Sequence, residues 1–170
     1  MGRRMADRHE STIERSDGLF ADAETSIAPF IKPSREDDVI WKGRIDEKTL
    51  EDTQEKMSKS PAGNTGFKIH VDAVDGHDAI CSMDCKPDMK NSAGILMGGY
   101  TFILADFTGG AADVMPGLED CMHTTIDAHM QYLAPGEGTR FVAHAICEHY
   151  GRRVAYYSIH IYNESGRHIA

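Results

Sequence analysis

Residues 91 to 106 read Asn91-Ser-Ala-Gly-Ile-Leu-Met-Gly-Gly-Tyr-Thr-Phe-Ile-Leu-Ala-Asp106. The stretch passes from a polar turn through a pair of glycines into an apolar run that carries one carboxylate. The apolar residues continue to about Met115, and a segment that is apolar nearly all round is typical of a helix surrounded by protein. We therefore predict a helix from Ile95 to about Met115, in which Asp106 is buried. A carboxylate in such surroundings indicates a chemical function.

This predicted helix contains glycines at positions 98, 99, 109 and 110. Each is unfavourable in a helix by roughly 1 kcal/mol relative to alanine. Such a cost indicates that another helix or a ligand approaches the backbone closely. Because the segment also contains Asp106 and Asp113, a core helix is favoured over a membrane span. Pro116-Gly117 ends it.

The segments that flank the helix alternate apolar and polar residues, which is the period of β-strands. Two such runs precede the helix and form a predicted hairpin around Asp75-Gly76. Three runs follow it, and a last strand would begin at Arg167 and stop at Ala170. The predicted strands, in chain order, are residues 67–73, 79–85, 124–134, 141–147 and 155–161. One long helix against one antiparallel sheet is an α+β architecture.

The length and net charge of the chain limit the kinds of protein that it can be. The chain has 170 residues and a net charge of −9, which indicates one domain and argues against a general nucleic-acid binder. Residues 1–45 are charged and poor in large apolar side chains, so we expect a loosely ordered extension, followed by the domain at 46–170. A short helix is expected from Asp46 to about Ser58. No apolar signal segment is visible at the N-terminus, so a cytoplasmic protein without membrane contact is expected.

The cysteines and histidines do not form a recognisable ligand pattern. Cys81, Cys85, Cys121 and Cys147 include no CxxC pair, and we interpret them as reduced thiols. The nine histidines include no HExxH motif. We therefore expect no metal and no cofactor.

The ordered set of motifs resembles a known family, the hot-dog acyl-CoA thioesterases of the phenylacetate-pathway type. Their usual pattern is an asparagine, a glycine three residues on, a His-Gly-Gly at the helix start and a Leu-Ala-Asp inside the helix. The matching segments here are Asn91, Gly94, Met97-Gly98-Gly99, Leu104-Ala105-Asp106, Thr124-Thr-Ile-Asp127, Tyr132-Leu-Ala-Pro135, Tyr150-Gly-Arg-Arg-Val-Ala155 and Tyr162–Ala170. The resemblance implies the hot-dog fold, in which an antiparallel sheet wraps around a central helix, and hydrolysis of an acyl- or aryl-CoA thioester.

Two features depart from the family pattern. Met97 stands where the family has histidine, so any hydrogen bond from that histidine is missing. The last strand normally extends beyond the position of Ala170, so the edge of the sheet is expected to be finished differently.

Thioester hydrolysis requires an activated water or nucleophile and a donor for the developing oxyanion. Asp106 is the candidate base or nucleophile, against the alternative that it faces outward or caps a neighbouring backbone group. Gly98 is the candidate oxyanion donor, because the first N–H groups of a helix have no intrahelical partner. Alternatively, Gly98 and Gly99 permit a tight turn or close helix packing.

Spacing adds a constraint on where the site lies. Gly98 and Asp106 are eight residues apart, which is roughly 12 Å along a helix. One thioester carbon cannot contact both. If both are catalytic, one subunit supplies Gly98 and another supplies Asp106, so a homodimer or a dimer of dimers is expected.

The resemblance implies that two further residues assist catalysis, and each of them also has a purely structural interpretation. Thr125 would position the water or the carboxylate, or it is an ordinary strand residue. Asn91 would hold the partner's carboxylate or the attacking water, or it forms the turn before the helix.

The remaining candidates concern the acyl-CoA substrate. Arg152 and Arg153 follow a glycine at a strand entry and are candidates for the coenzyme A phosphates, or they form a solvated turn. Gly99, Tyr100 and Phe107 are candidates for contacts with the substrate, although aromatic residues on such a helix also serve as core. A hot-dog hydratase or dehydratase and a non-catalytic acyl-CoA-binding module remain as alternative functions.

Overall fold

The computed structural model describes residues 47–59, 66–74, 77–113, 123–151 and 153–170. Several predicted features lie outside these residues. They are the N-terminal extension, the turn Asp75-Gly76, the helix end at Met115 to Gly117, Cys121 and Arg152.

Two α-helices and four β-strands make up the described part of the domain. Helix α1 spans Glu47–Ser58 and helix α2 spans Gly98–Ala112. A 3₁₀ turn at Pro87–Met89 precedes helix α2. The strands are β1 (Ile69–Val74), β2 (Ala79–Asp84), β3 (Arg140–Tyr150) and β4 (Ala155–Asn163). The four strands form one antiparallel sheet in the order β1-β2-β3-β4, and helix α2 packs against all of them. The predicted α+β architecture is confirmed.

The pleat of the sheet decides which residues meet the helix. Cys81 on β2 lies opposite Ala143 on β3, which lies opposite Ile161 on β4, and all three are fully buried. The Cys81 thiol contacts Thr108 of helix α2, so this row faces the helix. The alternate residues of β2 were predicted to be exposed, but Ser82 is also fully buried. The central strands are therefore covered on both faces.

A polar cluster on the far face of the sheet explains part of that burial. The Arg140 guanidinium donates to the Ser82 hydroxyl at 2.7 Å and to Asp84 at 3.1 Å, and it lies 3.8 Å from Asp72. Burial raises the pKa of Asp72 from 3.8 to about 6, although Ser82 and Arg140 act in the opposite direction. Asp72 sits where the β1–β2 register shifts between Val71 and Ala73.

Helix α2 begins three residues later than predicted. Met97 is extended (φ −66°, ψ 138°), and its carbonyl accepts hydrogen bonds from Tyr100 and Thr101. One stripe of the helix, containing Thr101, Leu104 and Thr108, is buried against the sheet. The opposite stripe, containing Phe102, Asp106 and Gly110, is exposed. The prediction that the helix is surrounded on all sides is therefore wrong for the single chain.

The predicted strand Thr124–Ala134 is also wrong for the single chain. Residues 123–134 run alongside helix α2, outside the four-stranded sheet, and most of them are exposed. Among the described residues, the segment reaches a backbone acceptor at its end, where Leu133 and Ala134 donate to the carbonyl of Ile169 at 2.8 and 3.2 Å. An alternating sequence forms a strand only where a neighbouring strand supplies hydrogen-bond partners along its length.

The C-terminal residues fold back through a turn at Asn163–Gly166. The Asn163 side-chain oxygen accepts from the backbone N–H groups of Ser165 and Arg167. Gly166 adopts φ 81°, which favours glycine. Beyond the turn, a bridge joins Tyr162 to His168, and backbone hydrogen bonds join Ile161 to residues 169 and 170. Among the described residues, no helix is long and apolar enough to cross a membrane.

Candidate functional site

Asp106 and Thr125 are in direct contact. The Thr125 hydroxyl donates to Asp106 Oδ1 at 2.7 Å. Asp106 lies in the middle of helix α2 and Thr125 lies in the segment that crosses it, so nineteen residues of sequence separate the two partners. Asp106 was predicted to be buried, but it lies on the exposed stripe of the helix. An exposed carboxylate with a fixed hydroxyl neighbour is available to a substrate or to a second chain.

Gly98 lies at the other end of the same stripe, at a cavity. The cavity has a volume of about 500 Å³ and surrounds the N-terminus of helix α2. Its lining includes Asn91, Leu96, Gly98, Thr101, Tyr132, Leu133 and Ile169. Asp106 and Thr125 do not line it. The structure therefore separates the two predicted halves of the site within one chain, as the eight-residue spacing required.

Gly98 and Gly99 supply the first backbone N–H groups of helix α2. The first hydrogen bonds of the helix are those from Tyr100 and Thr101 to the Met97 carbonyl. The N–H groups of Gly98 and Gly99 precede this turn, where helices leave donors unpaired. Gly98 is half-buried and Gly99 is exposed. The N-terminus of a helix also carries partial positive charge, which favours an anion there.

Asn91 has the turn-forming role that was the alternative prediction. Its side-chain oxygen accepts from the N–H groups of Ala93 at 2.9 Å and Ile95 at 3.3 Å. Its backbone carbonyl accepts from Gly94, which adopts φ 76°. Asn91 thus fixes the loop that leads into the cavity and contributes to the cavity wall.

The other predicted substrate contacts are dispersed in the single chain. Tyr100 is half-buried and packs edge-on against Phe67, with ring centroids 5.7 Å apart. Phe107 is half-buried against the core. Neither aromatic ring lines the cavity at Gly98, so within one chain both serve as packing residues. Arg153 is exposed.

Sequence reasoning missed Tyr132, which the prediction treated as an ordinary strand residue. Its hydroxyl donates to the Gly98 carbonyl at 2.8 Å. A Cβ atom on residue 98 would lie 2.8 Å from that hydroxyl oxygen and 2.9 Å from the ring carbon Cζ. Glycine is therefore required at position 98 for the tyrosine to lie where it does. The sequence did indicate that Tyr132 belongs to the Tyr-Leu-Ala-Pro motif. That motif does not indicate that the tyrosine hydroxyl binds the Gly98 carbonyl.

A second polar cluster, also missed, lies at the C-terminal end of helix α2. The Tyr157 hydroxyl donates to Asp113 Oδ1 at 3.1 Å, and His123 Nδ1 contacts Asp113 Oδ2. Burial raises the pKa of Tyr157 well above its ordinary value. Asp113 lies two turns after Asp106, and His123 lies two residues before Thr125. Asp113 therefore anchors the start of the segment that places Thr125 on Asp106.

The described residues show neither a reactive cysteine nor a metal-binding cluster. Cys81 and Cys147 are buried thiols, whereas Cys85 is half-buried. Burial raises the pKa of the Cys81 thiol, which makes it a packing residue and a poor nucleophile. Within the described ranges, no group of three or more His, Cys, Asp or Glu side chains is placed to hold a metal ion.

Comparison with known proteins shows what the fold is similar to. Residues 93–170 match the family model described as the thioesterase superfamily. The Escherichia coli PaaI protein from the phenylacetic acid degradation operon has a similar structure (TM-score 0.64, 22% identity), and the match covers 72% of this chain and 87% of that one. The predicted hot-dog thioesterase resemblance is confirmed.

Two further solved structures have the same fold. One is a Shewanella oneidensis protein related to the thioesterase superfamily (TM-score 0.61, 24% identity, 72% of this chain and 90% of that one). The other is a hypothetical thioesterase from Streptococcus pneumoniae, solved with coenzyme A (TM-score 0.57, 21% identity, 71% and 88%). No curated protein sequence matches the chain. The family match spans Gly98, Asp106 and Thr125, so the proposed chemistry lies within the matched segment.

Proposed function

We propose that this protein is an acyl-CoA or aryl-CoA thioesterase, with Asp106 as the base or nucleophile. The observation that carries the proposal is the Thr125–Asp106 hydrogen bond, which holds an accessible carboxylate in a fixed orientation on a thioesterase-superfamily helix. The superfamily match supports thioester hydrolysis in general. The coenzyme A in the similar Streptococcus pneumoniae structure supports a CoA thioester as the substrate class.

The proposed reaction uses the two ends of the exposed stripe. As a base, Asp106 accepts a proton from water, and the water oxygen attacks the thioester carbon. As a nucleophile, the carboxylate itself attacks and forms an anhydride that water then hydrolyses. In both cases the carbonyl oxygen becomes an oxyanion, which the N–H of Gly98 stabilises. The tetrahedral intermediate then collapses, the carbon–sulfur bond breaks and coenzyme A leaves as a thiolate. This thiolate takes up a proton from the protonated Asp106 in the base route and from water in the anhydride route, where the bond breaks as the anhydride forms.

We propose that each site combines Gly98 of one subunit with Asp106 of another. The two residues are roughly 12 Å apart along one helix, and the cavity at Gly98 excludes Asp106 of the same chain. Two α2 helices packed side by side and antiparallel would bring the halves together twice, once at each end. The exposed apolar residues near the stripe, among them Phe102 and Ile126, are candidates for this interface. Arg152 and Arg153 are proposed to meet the phosphates of coenzyme A, in line with the preference of arginine for phosphate oxygens.

The test follows free thiol release from a panel of acyl- and aryl-CoA thioesters. We expect wild-type protein to release thiol, and Asp106→Asn to be slower by roughly 10²- to 10⁴-fold, as is typical when a general base is removed. Asp88→Asn is the matched control, because Asp88 is an exposed carboxylate in the 3₁₀ turn. Binding of the thioesters without release by the wild-type protein would disprove the enzyme and favour an acyl-CoA-binding module.

A further inference from the structure

The side chain of Tyr132 contacts the helix at the point where the proposed oxyanion donors begin. It lines the cavity together with Gly98 and Leu133. Its hydroxyl donates to the carbonyl oxygen of Gly98 at 2.8 Å across 34 residues of sequence. The contact joins the extended segment 123–134 to the first turn of helix α2.

The Gly98 carbonyl and the Gly99 N–H belong to one peptide group. That group is planar, so a bond that fixes its oxygen also fixes the direction of its N–H. A hydrogen bond accepted by the carbonyl also polarises the peptide and strengthens its N–H as a donor, by roughly 10–30% per bond in a chain of hydrogen bonds. The Tyr132 hydroxyl therefore acts on the Gly99 N–H without contacting it.

Steric fit supports a specific pairing between the two residues. A Cβ on residue 98 would lie within 3.2 Å of three Tyr132 atoms. By contrast, a Cβ on residue 99 would meet nothing within 4 Å. The close approach at Gly98 is thus made by the tyrosine, and the space around Gly99 is left open for a ligand.

We propose that Tyr132 is a positioning residue for thioester hydrolysis, whose hydroxyl orients the Gly98–Gly99 peptide so that the Gly99 N–H serves as a second oxyanion donor beside Gly98. This role rests on the proposed thioesterase function. It gives the oxyanion two backbone donors from consecutive residues. It also gives Tyr132 an effect on the rate of the chemical step that is separate from substrate binding.

The experiment removes only the hydroxyl, with Tyr132→Phe. Because one neutral hydrogen bond contributes about 0.5–1.5 kcal/mol, we expect kcat to fall roughly 3- to 10-fold. KM should change less than about 2-fold, since the ring and its packing remain. Tyr156→Phe is the matched control, because Tyr156 is an exposed tyrosine on β4, away from the cavity.

A second readout does not depend on activity. In ¹⁵N-labelled protein, Tyr132→Phe should move the Gly99 amide proton resonance upfield, because the hydrogen bond that polarises its peptide is lost. The Gly110 amide should stay in place in both tyrosine variants. An unchanged Gly99 resonance, or an unchanged kcat in Tyr132→Phe beside an active wild type, would overturn the role of Tyr132 alone. Absence of thiol release from the wild type, with the whole panel, would overturn the proposed function and this role with it.

Discussion

The inner and outer faces of helix α2 meet different surroundings. The inner face packs Thr101, Leu104 and Thr108 into the sheet, and all three are almost fully buried. The outer face leaves Phe102 and Asp106 exposed, with Thr125 held across it. The inner face is completed by the chain itself, whereas we propose that a second copy of the chain completes the outer face.

The difference also separates two kinds of polar residue. Thr108 on the inner face donates to the Leu104 carbonyl at 2.7 Å, so its hydroxyl is satisfied within its own helix. Asp106 on the outer face accepts a hydrogen bond from Thr125, the donor that the described residues supply to it. A carboxylate has about four lone-pair sites, so Asp106 keeps acceptor capacity for a water molecule or a substrate. The Thr108 hydroxyl thus stabilises the fold, whereas the Asp106 carboxylate is available to react with a water molecule or a substrate.

The largest effect is expected in an experiment that tests whether two subunits share each site across the outer face of helix α2. Gly98→Ala and Asp106→Asn should each be nearly inactive as homodimers. Co-expressed, they form mixed dimers with one intact site, because one subunit retains Gly98 and the other retains Asp106. Since about half of the dimers are mixed, we expect about a quarter of wild-type thiol release.

The control for this mixture pairs Asp106→Asn with the double variant Gly98→Ala, Asp106→Asn, which should give no recovery. Mixed dimers visible by native mass spectrometry but without activity would contradict a shared site.

A second prediction contrasts one residue from each face. Leu104→Ala should lower the free energy of unfolding by about 2–5 kcal/mol, because it leaves a cavity in a fully buried position. Phe102→Glu should instead shift the protein from dimer to monomer, because it buries an unpaired charge in the interface. Sedimentation velocity and chemical denaturation measure the two effects.

Tyr156→Glu is the control for Phe102→Glu, since Tyr156 is exposed on β4, away from the helix. The dimer should persist in that variant. If Phe102→Glu had the wild-type sedimentation coefficient, the outer face of the helix would not be the interface.

The smallest expected effect concerns Asp72, on the face of the sheet away from helix α2. It separates the pH dependence of the free energy of unfolding from the pH dependence of thiol release. The pKa of Asp72 is raised from 3.8 to about 6 in the folded state, mainly by burial. Its stabilising contribution is present below about pH 4 and is lost as pH rises through 6, because the unfolded chain ionises first. Asp72→Asn should therefore be more stable than wild type at pH 7, by on the order of 3 kcal/mol.

The gain should disappear near pH 4, where Asp72 is protonated in both states. Urea denaturation at several pH values measures it, with Asp88→Asn as the exposed control. An equal stability difference at pH 4 and pH 7 would show that the effect is not ionisation. Because Asp72 lies across the sheet from helix α2, the pH profile of thiol release should be unchanged in this variant.

Much of the fold was predictable from local patterns. Alternation at residues 69–73 predicted β1, and the same period predicted β3 and β4, because strands half-buried on a core must alternate. Thr125 donates to the Asp106 carboxylate, and the family resemblance had implied that Thr125 positions either the attacking water or the carboxylate. Spacing alone indicated that Gly98 and Asp106 cannot meet on one helix.

Other features depended on partners that are distant in sequence. Segment 123–134 has the alternation of a strand, but within the described residues the backbone acceptor that it reaches is the carbonyl of Ile169. Tyr132 reaches Gly98, and Arg140 reaches Asp72, across separations that no local pattern records. The burial of Ser82 likewise depends on the Arg140 side chain from the next strand.

By itself, the sequence determined the period of each element, the position of the acid on the helix and the distance between the two half-sites. These are properties of a chain with fixed rise and fixed side-chain period. The tertiary structure alone decided which face of helix α2 is covered, and it placed a tyrosine hydroxyl on the peptide that follows Gly98. Both depend on which segments lie side by side in space, and contacts between distant residues are set by the packing of the whole domain.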